Sequence, residues 1–253
     1  MGNLKGKRAL ITGGGQGLGY AITEQLLESG ADVAIHYFSS EAGAQELKQR
    51  AAGLGRRAEV FRADLTKESD AAALVQQATA FLGGLDVLVN NAGDLVERHY
   101  LEEIESAFWE KVLAINLTSM MWVTRAALPW LIKAGQASVV NLSSLAGRRG
   151  GHQGSLAYST AKGGVLTWTR ALSVELGPKG IRVNAVAPGL ILGTRFHATH
   201  TTEASAQETI RHIPVRLAGT PADVARAVVY LASEYDGFIT GATLDINGGV
   251  YAA

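Results

Sequence analysis

The stretch Arg8-Ala9-Leu10-Ile11-Thr12-Gly13-Gly14-Gly15-Gln16-Gly17-Leu18-Gly19 decides the fold. Arg8 to Thr12 is a short apolar run that reads as a strand, and it closes on a cluster of glycines. An amphipathic helix follows to about Ser29 and stops at Gly30. Strand, glycine loop and helix in that order form an anion site. Backbone N–H groups at a helix N-terminus suit a pyrophosphate, and glycines let it approach closely. The fingerprint G-x-G-x-x-G fits no register here, and G-x-x-x-x-G-K-[ST] is absent because Tyr20 follows Gly19. What stands is Thr12-Gly13-x-x-x-Gly17-x-Gly19, with more glycine than a tight strand–helix turn requires.

Outward from this loop the same alternation continues. Strands are expected at Asp32 to Tyr37, Ala58 to Ala63, Asp86 to Asn90, Ser138 to Asn141, Ile181 to Ala187 and Ala242 to Ile246. Helices are expected at Glu41 to Ala52, Lys67 to Leu82, from about Glu102 onward, Ser155 to Gly177 and Pro221 to Ser233. Strands alternating with helices imply right-handed crossovers and a parallel sheet covered on both faces. The reading is one α/β domain over residues 1–253, a Rossmann-type doubly wound sheet of about seven strands. Pro188 to Thr202 is its least regular region and a candidate substrate-covering loop.

Composition narrows the function. Lys plus Arg and Asp plus Glu are 23 each, so the formal net charge is zero, which argues against nucleic acid or an anionic membrane surface as partner. The absence of cysteine removes disulfides and thiolate chemistry together. No apolar run reaches transmembrane length; Met120 to Ile132 is interrupted by Arg125 and Pro129. The start, Met-Gly-Asn-Leu-Lys-Gly-Lys-Arg, lacks the apolar core of a secretory signal. Gly6 stands where N-myristoylation expects Ser or Thr. A cytoplasmic protein is expected.

Tyr158 and Lys162 lie four apart on a helix and therefore share a face. A phenol titrates near pH 10. A unit positive charge about 4 Å away is worth roughly 4 kcal/mol at an effective dielectric near 20. That corresponds to about 3 pK units downward, enough for proton exchange at neutral pH. On these grounds Lys162 is expected to acidify Tyr158.

Thr12-Gly13-x-x-x-Gly17-x-Gly19, Asn90-Asn91-Ala92-Gly93, Tyr158-x-x-x-Lys162 and Pro188-Gly189 together resemble the short-chain dehydrogenase/reductase family, in order and spacing, over essentially the whole chain. The resemblance implies a hydride transfer between a nicotinamide cofactor and a carbonyl or secondary alcohol. It makes Tyr158 the proton donor or acceptor, with Lys162 binding the nicotinamide ribose and lowering the tyrosine pKa. Ser144 matches the family's catalytic serine. It stands fourteen residues before the tyrosine where thirteen is usual, so the intervening loop is expected to differ, with Ser143 as the alternative. Asn116 matches the fourth catalytic residue, which holds a water linking Lys162 to solvent.

By the same resemblance Gly13, Gly17, Leu18 and Gly19 hold the pyrophosphate, and Asp64 with Leu65 meets the adenine. Asp64 reads alternatively as a helix N-cap. Asn91, Ala92 and Gly93 line the cofactor cleft, Asn90 braces the sheet, and Pro188, Gly189 and Thr194 belong to the nicotinamide end. No acidic residue stands in His36-Tyr37-Phe38-Ser39-Ser40 to repel a 2′-phosphate. The hydroxyls of Ser39 and Ser40, with His36, suit that phosphate, whereas Gln16 stands where phosphate-binding relatives carry Arg or Lys. NADP(H) is therefore expected over NAD(H).

Arg148 and Arg149 read either as a solvated pair or as an anchor for an anionic substrate. His197 and His200, without a carboxylate at ligand spacing, read as loop surface and not as a metal site. Gly163 and Gly164 imply close backbone packing of their helix against another. Family members pair this helix across a dimer, often within a tetramer, so a homo-oligomer is expected. The chain is similar to 3-oxoacyl-acyl-carrier-protein reductases, which makes a 3-oxoacyl thioester the first substrate. A sugar, polyol or other small ketone is the alternative, and a cofactor-binding regulator without catalysis the reading from another class.

Overall fold

The structure is a computed structural model, which describes residues 3–194, 198–199, 201–233 and 237–252. Its strands are β1 (Arg8–Ile11), β2 (Asp32–Tyr37), β3 (Ala58–Arg62), β4 (Val87–Asn90), β5 (Ala137–Leu142), β6 (Ile181–Pro188) and β7 (Thr243–Ile246). They form one parallel sheet in the order β3-β2-β1-β4-β5-β6-β7. The helices are α1 (Gly17–Glu28), α2 (Glu41–Gly53), α3 (Glu68–Leu82), α4 (Ser106–Leu113), α5 (Ser119–Ala134), α6 (Leu145–Arg149), α7 (Leu156–Leu176), α8 (Glu203–His212) and α9 (Pro221–Ala232).

The period-2 alternation of each strand feeds two separate cores. Ala9 and Ile11 of β1, Val33 and Ile35 of β2, and Val87 and Val89 of β4 pack under α1, α2 and α9. Leu10, Ala34 and Leu88, one residue out of phase, pack under α3, α5 and α7. Because both faces are covered, the central strands are mostly apolar, with a few buried amides. Across the sheet, Asn90 donates to Asn141 Oδ1 at 2.9 Å and to Thr124 Oγ1 at 3.0 Å, and Asn141 donates to Thr169 Oγ1 at 3.0 Å. Buried amides thus tie β4 and β5 to α5 and α7, which bears out Asn90 as a sheet brace.

The chain leaves β1 toward β2 and β3, then returns to the other side of β1 with β4. Ligands in such sheets bind at the strands' carboxyl ends where the order reverses, and here that point lies between Thr12 and Asn91.

Two expectations need correction. The helix expected from about Glu102 begins at Ser106, after a 3-10 turn at Leu101–Glu103, and is broken by a π-helical turn at Ala114–Thr118. Side chains serve the widened turn: Asn116 Nδ2 donates to Val112 O at 3.0 Å and Ser119 Oγ to Ile115 O at 2.7 Å. Helices α6 and α8 stand where none was expected, α6 between Ser144 and Tyr158 and α8 directly after the irregular segment.

Candidate active site

A cleft of about 1230 Å³ opens at the carboxyl ends of the strands. It exceeds the roughly 300–1,000 Å³ of an ordinary small-ligand pocket, so a dinucleotide and a second molecule fit together. One wall carries Gly13, Gly17, Leu18, Gly19, Ser39, Ser40, Asp64, Leu65, Asn91, Ala92 and Gly93, and the other Ser144, Tyr158, Lys162, Pro188, Gly189 and Thr194. All of the catalytic and cofactor residues expected from the sequence line this cleft except Asn116, which is fully buried.

The phosphate loop is pinned from both neighbouring strands. Asn91 Nδ2 donates to Thr12 O at 2.9 Å and Gly13 O at 3.0 Å. Thr12 Oγ1 accepts the N–H groups of Asn91 and Ala92, each at 3.0 Å. A Cβ on Gly19 would stand 2.0 Å from Gly13 O, so the first turn of α1 packs directly on the loop. Gly17 has φ of 55°, and a Cβ there would meet only Thr194, at 3.7 Å. The loop is therefore bare of side chains where an anion must approach, and a nicotinamide dinucleotide fits. Thr12 went unnoticed in the sequence beyond the motif; its position between the strand and the first glycine was the available signal.

Asp64 lines the cleft and is not the helix N-cap considered for it, since α3 begins at Glu68 after Lys67. Its Oδ1 accepts from Thr66 N at 3.1 Å and Thr66 Oγ1 at 2.6 Å, capping the turn while facing the cleft. Those bonds hold its carboxyl below the usual range. His36 departs from expectation: Gly13 N–H donates to its Nδ1 at 3.0 Å and its Nε2 lies 3.1 Å from Ala63 O. With both nitrogens engaged and burial pushing its pKa down to about 4, the ring is neutral and does not serve a 2′-phosphate. Ser39 is exposed on the cleft, and a Cβ on Gly15 would stand 2.8 Å from Ser40 Oγ.

At the other end Ser144 and Tyr158 are hydrogen-bonded to one another. Ser144 Oγ also accepts Ala146 N–H at 3.1 Å as the N-cap of α6. Ser143 Oγ is instead turned inward, donating to Lys162 O at 2.8 Å. The extra residue between Ser144 and Tyr158 is taken up by α6 and by left-handed Gly150, Gly151 and Gly154. Lys162 is 3 % exposed; its Nζ donates to Leu142 O at 2.9 Å and lies 5.7 Å from the centre of the Tyr158 ring. Gly93 faces both Lys162 and Asn116, and a Cβ there would stand 2.9 Å from Lys162 Nζ and 2.7 Å from Asn116 Oδ1. Asn116 staples the loop after β4, donating to Asp94 O at 2.7 Å and accepting Asp94 N–H at 3.1 Å.

Burial works against the expected acidification of Tyr158. Burial raises the phenol to about 12, outweighing the bond from Ser144, and the Asp94 charge adds to the rise. Burial also lowers Lys162 to about 8. Desolvation disfavours the charged form of each group, and in this cleft it exceeds the through-space attraction that helical spacing suggested.

Arg148 and Arg149 part company. Arg148 makes a two-pronged ion pair with Asp245, at 3.1 Å for each contact, while Arg149 is exposed and lines the cleft. Gly147, Gly163 and Gly164 let α6, α7 and the π turn meet: a Cβ on Gly147 would stand 2.6 Å from Lys162 O, and one on Gly164 2.9 Å from Leu117 Cδ2. His197 and His200 lie outside the described residues.

Comparison with known proteins bears on this arrangement. Residues 13–251 match the family described as enoyl-(acyl carrier protein) reductase. A 3-oxoacyl-acyl-carrier-protein reductase of Vibrio cholerae is 36% identical over 249 residues, 98% of this chain and 99% of that protein. The chain belongs to the short-chain dehydrogenase/reductase family. A short-chain dehydrogenase from Burkholderia cenocepacia J2315, solved in complex with NADP, is 33% identical with a TM-score of 0.91, covering 99% of this chain and 100% of that one. A 7α-hydroxysteroid dehydrogenase complexed with NADH and 7-oxo glycochenodeoxycholic acid is 30% identical with a TM-score of 0.93, covering 98% and 95%. The protein is an NAD(P)-dependent oxidoreductase that interconverts a carbonyl and a secondary alcohol. Among the described residues, no helix is long and apolar enough to cross a membrane.

Proposed function

We propose that the protein reduces the 3-oxo group of an acyl thioester, with Tyr158 delivering the proton and NADP(H) preferred over NAD(H). The observation that carries this reading is the Ser144–Tyr158 pair, hydrogen-bonded above Lys162 in the same cleft as the glycine loop. The bound nicotinamide supplies the hydride. Tyr158, protonated up to about 12, has a proton to donate to the substrate oxygen in the reductive direction. The Ser144 hydroxyl steadies the oxygen as it gains charge. Lys162, buried beneath the ring, holds a positive charge below about pH 8 and anchors the ribose. Asn116 fixes the loop after β4 that walls the site, next to the relay leading from Lys162.

Gly13, Gly17, Leu18 and Gly19 receive the pyrophosphate, Asp64 and Leu65 the adenine, and Ser39 with Ser40 the 2′-phosphate. Asn91, Ala92, Gly93, Pro188, Gly189 and Thr194 complete the nucleotide wall. The thioester rests on the identity to the Vibrio cholerae reductase. Residues 1–253 act as one catalytic domain in the cytoplasm, with 188–202 closing over substrate. A homo-oligomer, dimer or tetramer, is supported by Leu156 and Val174 standing 46 % and 79 % exposed on α7.

Turnover of acyl thioesters, sugars and cyclic ketones with NADPH and NADH, by wild type and Tyr158→Phe, tests the reading. The variant should lose about 10²- to 10⁴-fold in turnover and still bind nucleotide. Retained activity removes Tyr158 from the chemistry, a preference for sugars replaces the thioester, and a tenfold preference for NADH reverses the cofactor assignment.

A further inference from the structure

Among the described residues, His36 alone touches both ends of the nucleotide wall by hydrogen bonds from one buried ring. Its side chain, 2 % exposed, leaves the middle of the sheet between β1 and β3. Gly13 N–H can only donate, so Nδ1 must be the bare, accepting nitrogen. The proton then resides on Nε2, which donates to Ala63 O, the carbonyl immediately before Asp64. The backbone adds a third bond, Gly14 N–H donating to His36 O at 2.8 Å. Two consecutive amides of the glycine loop are thereby consumed by one residue. The loop's other edge is held by Asn91 on the carbonyl of the same Gly13.

Two consequences follow from this geometry. Gly13 and Gly14 have no N–H to offer an anion, so a pyrophosphate is met by the amides of the α1 start instead. The gap between Gly13 and the end of β3 is bridged by one imidazole ring.

We infer that His36 is a positioning residue for the dinucleotide: a neutral imidazole of fixed tautomer that holds the glycine loop and the Asp64 end of β3 at the separation a pyrophosphate–adenosine unit requires, without touching the cofactor's 2′-substituent. The inference rests on the nucleotide reading given above and adds a residue to it. It also explains a histidine in a strand whose other members are apolar or aromatic from Val33 to Phe38.

Two substitutions separate the bonds. His36→Asn places an amide oxygen near the position of Nδ1 and keeps an acceptor for Gly13, whereas His36→Gln reaches toward Ala63 and leaves the Gly13 N–H without its partner. Dissociation constants for NADH and NADPH, from quenching of protein fluorescence, are measured beside thermal melts with and without nucleotide. The Asn variant should bind within about threefold of wild type, and the Gln variant about tenfold or more weakly, the size of an unmet buried donor. The loss should be equal for NADH and NADPH. A Gln variant that melts early but binds normally makes His36 a core brace and overturns the inference. A loss confined to NADPH also overturns it, because the ring would then act at the 2′-phosphate. Failure of the unaltered protein to bind either nucleotide would instead sink the nucleotide reading itself. Should both variants fail to fold, ¹⁵N spectra of the wild-type imidazole decide. A pyridine-like Nδ1 and protonated Nε2, unchanged on adding nucleotide, support the inference, and any other tautomer overturns it.

Discussion

Replacing Gly93 by alanine adds one methyl group where the site has no room for it. The backbone would accept the change, since Gly93 is not among the residues with positive φ. The obstacle is the pair of atoms the new Cβ meets: Asn116 Oδ1 at 2.7 Å and Lys162 Nζ at 2.9 Å. Neither yields freely. Asn116 is fully buried, with its oxygen accepting Asp94 N–H and its nitrogen donating to Asp94 O and Val112 O. Lys162 is 3 % exposed and donates to Leu142 O at 2.9 Å. Overpacking of this kind costs about 1–3 kcal/mol, and displacing the ammonium forfeits a charged hydrogen bond of similar size. A stability loss of about 2 kcal/mol is expected. If Lys162 is the group that moves, the same ~2 kcal/mol on the barrier is roughly a 30-fold fall in kcat/KM. Urea unfolding gives the first figure, read as a lower midpoint at unchanged slope; steady-state kinetics at saturating nucleotide give the second. An alanine variant as stable and as active as wild type would mean that the ammonium and the amide do not converge at this position.

Two further outcomes follow from the same geometry. Lys162, lowered to about 8, is charged below that pH and neutral above it, while Tyr158 holds its proton to about 12; reductive turnover should therefore stay level up to about pH 8 and decline beyond it. A profile that remains level well above that value contradicts the assignment. Ser144→Ala should cost about 10²- to 10³-fold in turnover and about 1 kcal/mol of stability through the lost cap of α6, whereas Ser143→Ala should cost about 0.5–1.5 kcal/mol of stability through its lost bond to the Lys162 carbonyl and spare catalysis; the opposite pattern in turnover would exchange the two serines.

The sheet was legible because parallel strands buried on both faces leave continuous apolar runs, and the loops between them announce themselves with glycine. The residues of the cleft were legible as motif for the same reason: Gly13, Gly17 and Gly19 occur together where a side chain would block the loop. What escaped were features that depend on what surrounds a residue. The spacing of Tyr158 and Lys162 suggested attraction, and nothing in that spacing revealed how completely both would be removed from water. His36 looked available to a phosphate until its two nitrogens were found engaged with Gly13 and Ala63. The π turn around Asn116 left no mark on the hydrophobic pattern, since widening a helix by one residue is a tertiary bargain struck by Val112, Ile115 and Asp94. Helix α6 was missed because five residues ending in two arginines carry no periodicity.

The chain holds a surplus residue in two places, with opposite meaning. Between Ser144 and Tyr158 the surplus is absorbed by a bend of glycines, and the two hydroxyls still meet. Inside the run from Ser106 to Ala134 the surplus is the widened turn at Ala114–Thr118. Each residue of an α-helix advances about 100° around its axis, so excising one there would swing Asn116 out of register with Asp94 and turn the buried stripe of α5 away from its strands. Length variation should accordingly be tolerated in the first segment and forbidden in the second.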